Sequence, residues 1–598
     1  MNALTLVIVG ALLLILAYRY YGAFMAAKVL TLDALRPTPA QTHNDGRDYV
    51  PTNKWLLFGH HFAAIAGAGP LIGPVLAAQF GYLPGTLWIL LGAVFAGAVH
   101  DMVVLFASVR HDGVSLAEIA KKELDGFSGW MASIAVLFIL IITMAGLALP
   151  VVNALFQSPW GTFTVGVTIP IALFIGVYLR WLRPGKIGEA TVIGVLLVLL
   201  GVILGPVVEH SALAHYLTFN KEQLSVILAV YGFVAAALPV WLLLTPRDYL
   251  STYMKIGTIL ALAVGIVIVH PVLQMPAVTK FAAGGGPIIP GKVWPFMFIT
   301  IACGALSGFH AIIGSGTTPK MINNERDIKA IGFGAMLVES FVALMALIAA
   351  TSLIPADYFA INSAPAVFAK LGMHVQDLPV LSQMVGENIA GRPGGAVSLA
   401  VGMAYIFSNI PGLKYLMSYW YHFAIMFEAL FILTTIDAGT RVGRYLLQEM
   451  GGVAYKPLRN HNWWPGVILT GGLMCLAWGY LVYGGSISTI WPLFGVANQL
   501  LGSTALAIGT TMLIRMGKGR YTWTTIIPMA FLAVTTLAAG YQNIVNNYLP
   551  QHNYLLSTLS AIMMVMVVMI IGDCIRIWLN LWKTKATGKL TPAASTHA

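Results

Sequence analysis

Apolar runs of about 20 residues, the length that crosses a bilayer, follow one another along the chain with short polar intervals between them. Hydropathy places them near 3–21, 56–78, 83–108, 128–152, 162–181, 188–207, 226–244, 256–274, 295–314, 331–354, 396–413, 417–437, 465–484, 490–514, 524–543 and 554–580. The pattern predicts an all-α polytopic membrane protein of roughly 15–17 spans, leaving no room for a separate soluble domain.

Basic residues in the intervals set direction, because Lys and Arg accumulate on the cytoplasmic side. Lys28, Arg36, Arg47 and Lys54 follow the first run, Arg110, Lys121 and Lys122 the third, Arg183 and Lys186 the fifth, and Lys320, Arg326 and Lys329 the ninth. These put the N-terminus outside. Further on, Arg441, Arg444, Lys456 and Arg459, then Arg515, Lys518 and Arg520, then Lys583, Lys585 and Lys589 shift the parity, so one run does not cross. The stretch between Gly394 and Gly412, flanked by Gly and Pro, is the expected culprit: it enters and returns, a form tolerated where protein or water surrounds it. The C-terminus is then cytoplasmic.

The second run carries Gly59-His60-His61-Phe62-Ala63-Ala64-Ile65-Ala66-Gly67-Ala68-Gly69-Pro70-Leu71-Ile72-Gly73-Pro74. Two prolines remove amide donors and the glycines weaken the helix, so a break at mid-membrane depth is expected, with backbone groups free for a ligand. Close helix packing through glycine is the alternative use of such a stretch. Five runs later, Gly232 to Pro239 repeats the pattern in a run of opposite direction. Together they predict a five-plus-five inverted-repeat core with discontinuous helices, its halves at 56–207 and 208–413. Residues 1–55 then form a peripheral first span and cytoplasmic loop, and 414–598 an added bundle with a short basic tail. Substrate is expected between the breaks, at Gly67, Ala68, Gly69, Pro70, Ala236, Ala237 and Pro239.

Composition sharpens this picture in three ways. With 58% hydrophobic and 9% charged residues and a mean hydropathy of +0.82, a water-soluble fold is excluded. The net charge of +11 would suggest nucleic acid if it were clustered on a soluble face, but it lies in the loops, so lipid is the expected partner and nucleic acid is not. Cys303, Cys475 and Cys574 fall in or near apolar runs without CxxC spacing, which fits small buried residues rather than disulfides or a zinc ribbon. The first run lacks a basic leader region and a convincing cleavage site, and reads as a retained span.

Titratable side chains in hydrocarbon are costly and are functional suspects. His60, His61, His100, Asp101, His310 and Glu339 all fall in the inner half of their runs, with Ser307 beside His310. A His/Asp/Glu group facing a cavity suits proton release toward the cytoplasm. Two alternatives stay open: polar pairing between buried helices and a metal site, although no HExxH spacing accompanies the latter. Gly314 to Lys320, rich in hydroxyls, lies at the cytoplasmic mouth facing the start of the second run; it lacks the ending of a phosphate-binding loop. Glu428 is a further candidate for the path. Asp437 and Asp573 lie near Arg441 and Arg576, where simple pairing is expected.

Gly59 to Pro74, Ala98-Val99-His100-Asp101, and Ser307-Gly308-Phe309-His310 through Pro319-Lys320 resemble the carbon starvation protein A family over most of the chain. That resemblance implies a bacterial cytoplasmic-membrane transporter related to the amino acid–polyamine–organocation group, with peptides or pyruvate as substrates and proton coupling. The expected function is proton symport of pyruvate or a similar short carboxylate, without a cofactor. Small-peptide uptake is the runner-up, sodium is the alternative coupling ion, and oligomeric state is left open. A metal-dependent membrane enzyme and a passive channel are disfavoured, because neither a nucleophile set nor a repeated pore motif is present.

Overall fold

The computed structural model describes residues 2–45, 49–124, 126–183, 186–239, 242–461 and 463–586. Arg47 and Lys589, two of the loop charges used above, lie outside the described residues. The principal helices are α1 (Ala3–Val29), α2 (Lys54–Ile65), α3 (Gly69–Ala77), α4 (Tyr82–Arg110), α5 (Gly126–Leu155) and α6 (Pro159–Leu182). Then come α7 (Ile187–Glu209), α8 (Lys221–Ala237), α9 (Leu244–Val269), α10 (Val293–Thr300), α11 (Phe309–Gly314) and α12 (Glu325–Thr351). The last six are α13 (Ala396–Ser408), α14 (Lys414–Gly451), α15 (Trp464–Gly484), α16 (Ile487–Arg515), α17 (Trp523–Tyr548) and α18 (Tyr554–Lys583). The three cysteines are buried and unpaired.

Among the described residues, twelve helices are long and apolar enough to cross a membrane unbroken. The remaining predicted runs are those that Gly and Pro interrupt or shorten. The second is α2 and α3, bent by 47° at their junction. Run 226–244 is α8, which stops at Ala237 after 17 residues, and run 295–314 is α10 and α11 with an irregular stretch between them. Run 396–413 holds only the 13 residues of α13, about 20 Å at 1.5 Å per residue and short of the hydrocarbon thickness. The bent pair would make a thirteenth span. If α8 and the interrupted α10–α11 also cross, the count is fifteen, the odd number that the loop charges require.

Contacts at the ends agree with this direction. Ala3 N donates to Pro271 O at 3.0 Å in a loop the charges place outside, and Val50 N donates to Lys320 O at 3.1 Å in one they place inside.

The break in α2–α3 does not face Ala236–Pro239, which corrects the expected pairing. It crosses the irregular stretch Ile301–Gly308 between α10 and α11. A Cβ on Gly69 would run into the Cys303 side chain, and one on Gly73 would stand 2.6 Å from Thr300 O. Gly73 is required because it lies against the Thr300 carbonyl, and Gly69 because the Cys303 side chain occupies the space a Cβ would take. The Ala236–Pro239 interruption instead docks on α14, where Arg441 Nη2 donates to Ala235 O at 2.7 Å and Leu238 O at 2.6 Å. Pro239 is exposed. Helix α16, in the C-terminal part expected to be an added bundle, is buried throughout its apolar length and lies against the crossing.

With fifteen crossings, reporter fusions should place the N-terminus outside and the C-terminus in the cytoplasm; both ends on one side would remove the re-entrant role of α13.

Candidate proton and substrate site

Three helices bring the predicted acid–base residues together. Asp101 is on α4, just after a wide π-helical stretch (Trp88–Gly97); Glu339 is on α12, just after another (Lys329–Gly334); His310 is the second residue of α11. Such local over-widening recurs at functional sites. His310 Nδ1 lies 2.7 Å from Asp101 Oδ2, and its Nε2 lies 3.0 Å from Glu339 Oε2. The second contact is an ion-pair approach off the ring N–H line, not a hydrogen bond, so both Glu339 oxygens are without a hydrogen-bond partner. His100 Nδ1 holds the other Asp101 oxygen at 2.7 Å. All four side chains are at most 3% exposed.

An imidazolium between two carboxylates leaves one excess negative charge, and one further proton cancels it. Buried orphan atoms at Glu339 and at Nε2 of His61 and His100 mark places where polar demand is left open. His61 joins from α2 through its Nδ1, 2.7 Å from Thr318 Oγ1, in the hydroxyl-rich stretch at the mouth.

Above this cluster lies the crossing. Ala66 leaves the helical region (φ −73°, ψ 78°), and among the described residues the amides of Ala68, Gly69, Cys303, Gly304 and Ala305 donate no backbone hydrogen bond. Two side chains that the sequence reading did not single out stabilise the broken ends. Asn498 on α16 accepts from Phe309 N at 2.8 Å through Oδ1, and its backbone oxygen accepts from Gly308 N at 3.1 Å. Lys255 on α9 donates to Ala63 O and Ala66 O at 2.9 Å each. A polar residue in the middle of an apolar run was the available signal for Asn498; Lys255, at the edge of run 256–274, reads from sequence as an ordinary loop charge.

Some predicted residues sit elsewhere. Ser307 bonds Asn498 (Nδ2 to Oγ, 3.1 Å) and belongs to the break rather than to the histidine cluster. His60, next to His61 on α2, points another way and is half-buried. Asp437 pairs not with Arg441 but with Tyr231 OH (2.7 Å) and Arg247 (3.4 Å), because Arg441 serves the carbonyls at the end of α8. Asp573 meets Arg576, and Ser128 at 2.7 Å. His422 pairs with Glu387 at 3.0 Å; Glu428 is buried with no hydrogen-bond partner for its oxygens. No group of three or more His, Cys, Asp or Glu among the described residues is arranged to hold a metal.

Comparison with known proteins agrees with the sequence resemblance. The family model described as carbon starvation protein CstA matches residues 2–539. The chain is 55% identical to the peptide transporter CstA of Bacillus subtilis over 98% of each chain. It is 52% identical to the peptide transporter CstA of Escherichia coli, covering 90% of this chain and 81% of that one. With the pyruvate/proton symporter BtsT of E. coli it shares 48% identity, again over 90% and 81%. Among solved structures, a mutant manganese transporter of Eremococcus coleocola covers 90% of this chain and 99% of its own at 14% identity and a TM-score of 0.40, too distant to bear on the site.

Asn498→Ala strips the side-chain acceptor from the Phe309 amide and should cost about 1–3 kcal/mol of stability. Thermal melting in detergent checks this; an unchanged melting curve refutes the capping role.

Proposed function

The chain belongs to the carbon starvation protein CstA family and is a multi-pass transporter of the bacterial inner membrane, not an enzyme, and from that premise we propose that it imports a short carboxylate such as pyruvate by proton symport. The observation that carries the reading is His310, held between Asp101 and Glu339 in the buried interior beside the crossed breaks. Histidine is the side chain suited to take up and release a proton, and intramembrane groups of this kind form proton relays.

The carboxylate preference rests on the crossing. Undonated amides at Ala68, Gly69 and Cys303–Ala305 offer hydrogen-bond donors to a small anion. The contact of Gly69 with Cys303 and of Gly73 with Thr300 favours a short ligand over an extended one. The pyruvate/proton symporter among the relatives supports this choice. Small peptides are the second reading, favoured by the name and 55% identity of the B. subtilis relative.

Purified protein in liposomes should accumulate labelled pyruvate when the interior is alkaline, and excess dipeptide should compete poorly. Dipeptide accumulation with no pyruvate uptake would transfer the assignment to the second reading. Gradient-driven accumulation should fall about tenfold or more in His310→Ala and Asp101→Asn, as expected when a proton-relay group is lost, while exchange without a gradient survives and Asp573→Asn stays near the parent. Normal accumulation by both site variants at equal expression would exclude this cluster from coupling.

A further inference from the structure

The first break exposes two carbonyls that its own sequence cannot satisfy. In a continuous helix Ala63 O would accept from Gly67 N, but that amide turns to Ile65 O at 2.8 Å. Ala66 O would accept from residue 70, which is proline and has no N–H. Both carbonyls belong to the C-terminal end of α2, the negative end of its dipole.

What meets them is a cation. Lys255 Nζ, on a side chain 1% exposed, donates to Ala63 O and Ala66 O at 2.9 Å and to Thr434 Oγ1 at 3.4 Å. It also stands 4.3 Å from the centre of the Phe431 ring, within cation–π range. The Thr434 hydroxyl hydrogen goes to Leu430 O at 2.9 Å, so its oxygen faces the amine as an acceptor. Two peptide carbonyls, a hydroxyl oxygen and an aromatic face form an environment of acceptors around one positive charge. Unwound carbonyls at the end of a half-helix are the groups with which interrupted transmembrane helices hold monovalent cations.

We propose that the Lys255 ammonium is a tethered cation filling a monovalent-cation site at the first break, so that no sodium ion enters there, and that removing this side chain opens the site to Na⁺ or Li⁺. The proposal deepens the proton-symport reading by assigning the cation of the break to the chain itself. A fixed ammonium repels any second cation from the same oxygens. It joins α2, α9 and α14 at one point, which makes Lys255 a positioning residue for the crossing.

The test compares the full chain with Lys255→Ala and Lys255→Met, purified and melted in matched sodium, lithium and choline chloride. The melting temperature of Lys255→Ala should rise saturably with Na⁺ or Li⁺ and not with choline, whereas the parent and the apolar-filled Lys255→Met should not respond. In liposomes the parent should take up pyruvate at the same rate in sodium and in choline; Lys255→Ala should lose roughly tenfold or more in choline and recover in sodium. Should Lys255→Ala not purify as a folded protein, Lys255→Ser gives the same melting readout. Sodium-stimulated uptake by the parent, or small-residue variants indifferent to Na⁺ and Li⁺, would overturn the proposal. Absence of pyruvate uptake by the parent would defeat the substrate assignment alone, because the melting comparison needs neither substrate nor proton gradient.

Discussion

A backbone polar group in hydrocarbon has no water to fall back on, and every interruption of a transmembrane helix therefore requires a partner from elsewhere in the protein. Three interruptions are met by three side chains. Lys255 takes the carbonyls at the end of α2, Arg441 those at the end of α8, and Asn498 the Phe309 amide at the start of α11. The sign of each partner follows the end it serves: cations at the carbonyl ends, an amide oxygen at the N–H end. The arrangement of α9, α14 and α16 around the crossing follows from these contacts, since each carries one of the partners.

The same constraint governs the acid–base cluster. Asp101 is surrounded by donors, with His100 on one oxygen and His310 on the other, whereas Glu339 shares only the far side of His310 and its oxygens have no hydrogen bond. One carboxylate is held and the other is left open. That inequality places the two like charges in different surroundings at short range: Asp101 is hydrogen-bonded on both oxygens, and Glu339 approaches the imidazole as an ion pair alone.

Much of this architecture is legible in the chain. Glycine and proline at Gly67–Pro70 announce a break, and the inner-half His, Asp and Glu residues announce a cluster, because each signal is local. The partner of the first break is not local. Ala236–Pro239 attracted the assignment because proline is a loud helix breaker, while Ile301–Gly308 breaks without proline, through Gly304, Gly308 and the demand of Asn498 nearly two hundred positions later, a sequence separation of 189. Asp437 misled for a related reason: Arg441, one turn away, is the obvious partner until the open carbonyls of α8 compete for it. Neighbours in sequence are visible from sequence, and competition between neighbours is not.

The location of His310 has a mechanical consequence. Helix α11 is six residues long, so the imidazole at its second position and the break at its N-terminus are parts of one small rigid body. At that end Gly308 lies backbone to backbone on α16, with room for no side chain, and Asn498 fixes the Phe309 amide. From its start α11 also projects His310 toward α4 and α12. A change in the pull of Asp101 and Glu339 on the imidazole must then be resisted by Asn498 or transmitted to the 301–308 stretch, where Cys303 and Gly304 touch Gly69 and Pro70 of the opposing break. Close packing leaves little room for small displacements of such a body. The imidazole and the 301–308 break thereby share the N-terminal end of one short helix.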